Sequence, residues 1–197
     1  MGVPALRIQT FALDRGLHDR IREYLGFLGP GADCASGVAL IMLRDALKSN
    51  VMRVIAREED LHPDQTLEYY VGLLEYRSQY RPDMQNLFRD KFHKYKLSVQ
   101  LDIEPGPEGL QIRVTNCFGM IGEEQALLLQ KIKTAQGFAD IFTFFEEKDL
   151  VREDYLREEA VECLSNWGVS QNSYQLSFFP EETVASLLLP LPASAAV

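Results

Sequence analysis

The stretch KLSVQLDIEPGPEGLQIRVTN, Lys96 to Asn116, decides the fold class. In its first half Leu97, Val99, Leu101 and Ile103 are apolar at every second position, and in its second half Leu110, Ile112 and Val114 repeat the pattern. A period of two marks a half-buried strand, because successive side chains point to opposite faces. Between the halves, Pro105-Gly106-Pro107-Glu108-Gly109 supplies turn residues. Strands Lys96 to Glu104 and Leu110 to Asn116 are therefore expected to pair as an antiparallel hairpin whose apolar set faces a layer of helices.

Helical spacing takes over on both sides of this hairpin. Upstream, a short strand, Leu6 to Phe11, leads into a helix with Asp14 as candidate N-cap. Leu17, Ile21, Tyr24, Leu25 and Leu28 form its apolar face, and Gly29-Pro30-Gly31 ends it as a hinge. Ser36 is expected to cap a long helix reaching about Glu59, with Leu40, Leu43, Leu47, Val51 and Val54 as its core stripe. His62-Pro63 breaks that helix, Asp64 or Thr66 starts another, and Pro82 opens a short one reaching about His93. Downstream, helices are expected over 123–135, 138–147 and 154–167. Two strands follow, Tyr174 to Phe179 and Thr183 to Leu189, joined by Pro180-Glu181-Glu182, with Trp167 and Tyr174 packed under this last hairpin.

Helices that come in groups rather than alternating with strands indicate an α+β fold, a two-layer α/β sandwich with helices on one face of a mostly antiparallel sheet. The expected organisation is an N-terminal strand and helix over 1–35, the main domain over 36–192 and a tail over 193–197. A length of 197 residues with 46% apolar and 25% charged side chains suits such a core.

Charge and cysteine usage narrow the function classes. Twenty basic residues against 29 acidic ones give a net charge of -9, which repels phosphate backbones and argues against nucleic-acid binding. Cys34, Cys117 and Cys163 are odd in number, far apart and set among apolar neighbours, so reduced structural thiols are expected. His18, His62 and His93 share no spacing, and no metal site is expected. No uncharged apolar run approaches the roughly 20 residues of a membrane span, and Met1 to Gln9 lacks the layout of a secretory signal. A cytoplasmic protein without a membrane span is the expectation.

The long helix with Leu43-Arg44-Asp45-Ala46-Leu47-Lys48-Ser49-Asn50, the strand Leu110 to Asn116 and the ending Thr183-Val-Ala-Ser-Leu-Leu-Leu-Pro190 resemble, in order and spacing, the GHKL superfamily of Bergerat-fold ATPases. This superfamily includes gyrase and the histidine kinases. The resemblance runs from about Ser36 to Pro190 and is greatest to a bacterial histidine-kinase-like group. It implies a nucleotide site whose long helix carries a glutamate base four residues before a magnesium-binding asparagine. Ile41 and Asp45 match those positions: aspartate can still ligate magnesium through oxygen, but isoleucine cannot accept a proton. An aspartate that binds the adenine amino group, followed by glycines, should end the second hairpin strand. Asn116-Cys117-Phe118-Gly119 stands there, with a weaker neutral acceptor and bulk at Phe118.

The superfamily's second glycine motif forms the phosphate lid, yet no glycine occurs between Gly137 and Gly168. That region carries Glu146, Glu147, Asp149, Glu153, Asp154, Glu158 and Glu159 instead, which oppose a triphosphate or simply form a solvated helix face. The expected protein is a degenerate relative with no catalytic residue and no cofactor: a regulatory or scaffolding pseudoenzyme of signalling. It would act by association with a protein partner or a second copy of itself. Tyr69, Tyr76, Arg77, Tyr80 and Arg81 are the candidate interface, tyrosine and arginine being the side chains enriched at interface hot spots, with packing of the rings on the core as the rival reading. The alternative is an ATP-binding protein of the histidine-kinase or anti-sigma-factor kinase type, using ATP and magnesium through atypical site residues.

Overall fold

The expected hairpin forms the middle of a five-stranded antiparallel sheet. The computed structural model describes residues 3–11, 15–59, 84–119, 122–142 and 153–190. Strand β1 (Leu6–Thr10) is followed by helix α1 (Arg15–Tyr24), a 3-10 segment (Leu25–Gly31), α2 (Ala32–Glu59) and α3 (Met84–Tyr95). Then come β2 (Val99–Gly106), β3 (Gly109–Asn116), α4 (Gly122–Thr134), α5 (Phe138–Ile141), α6 (Glu153–Asn166), β4 (Tyr174–Phe178) and β5 (Thr183–Leu189). The strand order is β1-β2-β3-β5-β4, every neighbouring pair antiparallel. This is the α+β architecture read from the sequence.

Pleating sorts the side chains by face. Leu6, Ile103, Ile112, Leu187 and Tyr174 line up across the five strands, and Ile8, Leu101, Val114, Ala185 and Leu176 form the next row. Val99, Leu101, Ile103, Leu110, Ile112 and Val114 are all essentially inaccessible, as the period-two pattern requires. The opposite face carries Arg7, Asp102, Arg113, Ser186 and Gln175 in one row and is polar. β1 and β4 are the two edge strands of this sheet, β1 being joined to the hairpin by five register pairs.

Pairing of β2 with β3 runs as far as Gly106↔Gly109, so only Pro107 and Glu108 form the turn, a tighter connection than the five-residue loop expected. β1 stops opposite Ile103, which leaves Pro105 on an edge where its missing N–H breaks no ladder on that side.

α2 lies against β2 and β3 and also touches α1, α3 and α6. Elements on several sides explain why burial extends beyond the expected stripe to Ala35, Val38, Ala39, Ile41 and Met42. Its start is corrected: Ser36 lies inside the helix and is buried, because the chain passes from the 3-10 segment straight into α2 at Ala32. The hinge expected at Gly29-Pro30-Gly31 is a kink within the 3-10 segment, with Gly29 at φ 57°. The ring of Trp167 packs on Gly31, where an added Cβ would come within 2.7 Å of Cζ2.

A further correction concerns the cysteines. Cys34, in the first turn of α2, is bridged to Cys163 of α6, with Cα atoms 5.6 Å apart across a sequence separation of 129 residues. Cys117 is the free thiol and is exposed. The apolar neighbours that suggested inert thiols are the packing surface of two adjacent helices. The same packing accounts for an apolar window within Arg15–Leu47, of mean hydropathy 1.4, that is long enough to cross a membrane: 61% of it is buried inside the fold.

The helix expected from Asp64 or Thr66, the N-cap Asp14 and the tail over 193–197 lie outside the described residues. So do Tyr69, Tyr76, Arg77, Tyr80 and Arg81.

Candidate functional site

The cleft of interest opens where α2 passes the end of the β3–β5–β4 half of the sheet. α2 contributes Met42, Asp45, Ala46 and Ser49, spaced at three and four residues and so on one helical face. The strands contribute Val114, Asn116, Thr183, Ala185, Tyr174 and Leu176, and Leu128, Ile132 and Ile141 close the far wall. The interior is about 70 Å³, room for a handful of water molecules.

Two asparagines fasten α2 to the sheet at this end. Asn116, the last residue of β3, is 5% exposed and donates from Nδ2 to the carbonyl of Ala46 at 3.3 Å. Asn50, one turn further along α2 and fully buried, donates from Nδ2 to the carbonyl of Leu97 at 3.1 Å, just before β2 begins. Val99 and Asn116 are register partners, so both bonds clamp the same end of the hairpin to successive turns of one helix. The Oδ1 atoms of both amides are buried without a hydrogen-bond partner among the described residues, so each amide spends its donor on backbone while its acceptor stays shut in protein.

Of the site residues read from sequence, the structure brings Asp45 and Asn116 together on the cleft. Ile41 is fully buried in the core and lines no part of it. Phe118 is 8% exposed and belongs to the core cluster, its carbonyl accepting a 3.2 Å bond from the Thr183 hydroxyl. Gly119 serves close packing: a Cβ there would overlap the carbonyl oxygen of Pro180. Glu158 and Glu159 are exposed on α6, and the side chains of Glu146, Glu147, Asp149, Glu153 and Asp154 lie outside the described residues. No group of three or more metal-ligating side chains occurs among the described residues.

Of the residues at the site, Asn50 was not singled out from the sequence, and Tyr174 was read only as packing under the last hairpin. Asn50 carried a signal, a neutral polar side chain on the buried side of a helix that is otherwise apolar there. Tyr174 needed the fold, since only the β4–β5 pairing brings it beside α2.

Tyr174 lies edge-on to Phe142, ring centroids 6.0 Å apart. Burial, and secondarily the Asp45 carboxylate, push its phenol well above the ordinary value of 10.0. Tyr24, which donates to the carbonyls of Pro4 and Ile103 at 2.7 and 3.2 Å, is raised more modestly, chiefly by burial. A phenol whose folded value exceeds its unfolded value stabilises the fold fully below pH 10 and loses that contribution as the pH rises further, because only the unfolded chain releases the proton readily. Phenolate absorbance followed to high pH is expected to show one tyrosine titrating last, with unfolding. Tyr174→Phe should abolish that lag and flatten the fall in stability above pH 10.

Comparison with protein-family models, curated proteins and solved structures returns no match to this chain.

Proposed function

We propose that this chain is a non-catalytic regulatory or scaffolding protein on a degenerate GHKL-type scaffold, acting by association with a protein partner or a second copy. The observation that carries the reading is the bond from Asn116 to the Ala46 carbonyl. The residue placed where the superfamily reads adenine is turned onto the protein's own helix, with its acceptor oxygen buried.

The neighbouring turns of α2 support the same reading. A pair spaced as in the superfamily, with asparagine four residues after a cleft-lining position, is Ala46 and Asn50, five residues beyond the Ile41 and Asp45 pairing. On that alignment alanine replaces the base, and the asparagine that would hold magnesium is fully buried and bonded to Leu97. Either alignment leaves the helix without a proton acceptor at the glutamate position. Asp45 remains at the cleft, and through it the ATP-binding alternative keeps one oxygen ligand for magnesium.

Calorimetry with ATP and magnesium, paired with light scattering of the eluting protein and affinity capture from its native cell, separates the readings. The expected outcome is no heat of nucleotide binding, together with a dimer or a captured partner that Tyr76→Ala combined with Arg77→Ala weakens by tenfold or so while leaving the melting temperature nearly unchanged. Magnesium-dependent ATP binding at micromolar concentration would establish the alternative. A monomer that captures nothing would remove the association reading.

A further inference from the structure

We propose that the Cys34–Cys163 bridge is a dithiol-reducible clamp that holds α6, together with Trp167, on the kink and first turn of α2. Three observations meet at this point. The disulfide joins the beginning of α2 to the last part of α6. Trp167, one turn beyond Cys163 and bonded through its N–H to the Cys163 carbonyl at 2.9 Å, lays its ring on Gly31, three residues before Cys34. Gly31 follows Gly29, whose positive φ makes the kink, so the covalent link and the ring contact both grip the place where the chain changes direction.

The two cysteines differ in exposure. Cys34 is half-buried, whereas Cys163 is 8% exposed and sits beside the inaccessible Ala160 and Leu164. A thiolate of a dithiol reductant therefore attacks the Cys34 sulfur. The S–S bond breaks, its electron pair leaves on the Cys163 sulfur, and that sulfur takes a proton. The second thiol of the reductant then displaces Cys34 from the mixed disulfide, leaving two protein thiols and the reductant as its own disulfide, two electrons poorer. Apolar surroundings disfavour the departing Cys163 thiolate, so reduction is slow while α6 is docked and quickens once it lifts.

α6 also touches α5, whose Ile141 lines the cleft, so the released helix is a neighbour of the candidate site. A reducing compartment would keep α6 free to move and an oxidising one would pin it.

The oxidised protein is compared with the same protein after treatment with dithiothreitol. Titration under denaturing conditions is expected to find one thiol, Cys117, before reduction and three after it. Reduction should speed amide exchange in α6 about tenfold or more, leave β2 and β3 unchanged, and shift Trp167 emission to the red as the ring leaves Gly31. Cys34→Ser combined with Cys163→Ser should behave as the reduced protein in both conditions. Three titratable thiols in the untreated chain would overturn the proposal. So would unaltered α6 exchange, joint acceleration of α6 and the sheet, or an effect of dithiothreitol that persists in the double variant.

Discussion

Gly109→Ala is expected to cost about 4 kcal/mol or more, a loss in the exceptional range for a single substitution. Gly109 begins β3 at φ 148°, a conformation that side chains rarely adopt, and an added Cβ would overlap the carbonyl oxygen of Leu189 on β5. Neither obstacle can be relieved by a rotamer change, since both the strained residue and its neighbour are backbone. Shifting either strand would disturb the pairing of Leu110 with Leu189. Gly106→Ala is the internal control. It lies opposite Gly109 in the register, but its Cβ would meet nothing nearer than 3.7 Å, and its expected change is within about 1 kcal/mol. Urea unfolding of both variants against the parent checks the contrast, and equal losses would show that the glycine at 109 is not structurally required.

The second large effect is expected at Ile112→Ala. Ile112 occupies the central strand between Ile103 of β2 and Leu187 of β5, and all three are inaccessible on the helix-facing side. Truncation removes transfer free energy and leaves a cavity that the flanking strands cannot collapse, for a loss of about 2–5 kcal/mol. In a domain of this size that corresponds to a fall in melting temperature of about 4–20 °C. Arg113→Ala, one residue on and therefore on the polar face, is expected to change stability by no more than about 0.5 kcal/mol. The two variants together test the assignment of faces, because a register slip of one residue would exchange their effects.

The parts of the fold legible in the sequence are those governed by near neighbours. Leu97 to Ile103 and Leu110 to Val114 announced strands through alternation, and the buried set agrees residue for residue. The ends of α6 and β5 were readable to within a residue or two, because turn and breaker residues act on the backbone beside them. Ser36 misled because its capping preference presumes a free helix end. The kinked 3-10 segment had already supplied the preceding turn, so the helix began four residues earlier.

The candidate site was legible only in part. Asp45 and Asn116 were both among the positions read from the sequence, and the fold brings them to one cleft. Asn116 gave no sign that it bonds to Ala46, 70 residues away, nor Asn50 that it reaches Leu97, 47 residues away. Local composition also cannot tell a buried thiol from half of a bridge, so Cys34 and Cys163 read as unpaired until α2 and α6 were packed together.

By itself, then, the sequence determined the element types, the α+β class and which face of β2 and β3 is buried, since periodicity and turn chemistry act over a few residues. The tertiary structure alone decided the strand order, the Cys34–Cys163 bridge, the docking of Trp167 on Gly31 and the asparagine bonds that close α2 onto the sheet. Each of these depends on which remote surfaces bury one another, a matter settled by the packing of the whole chain and not by any window within it.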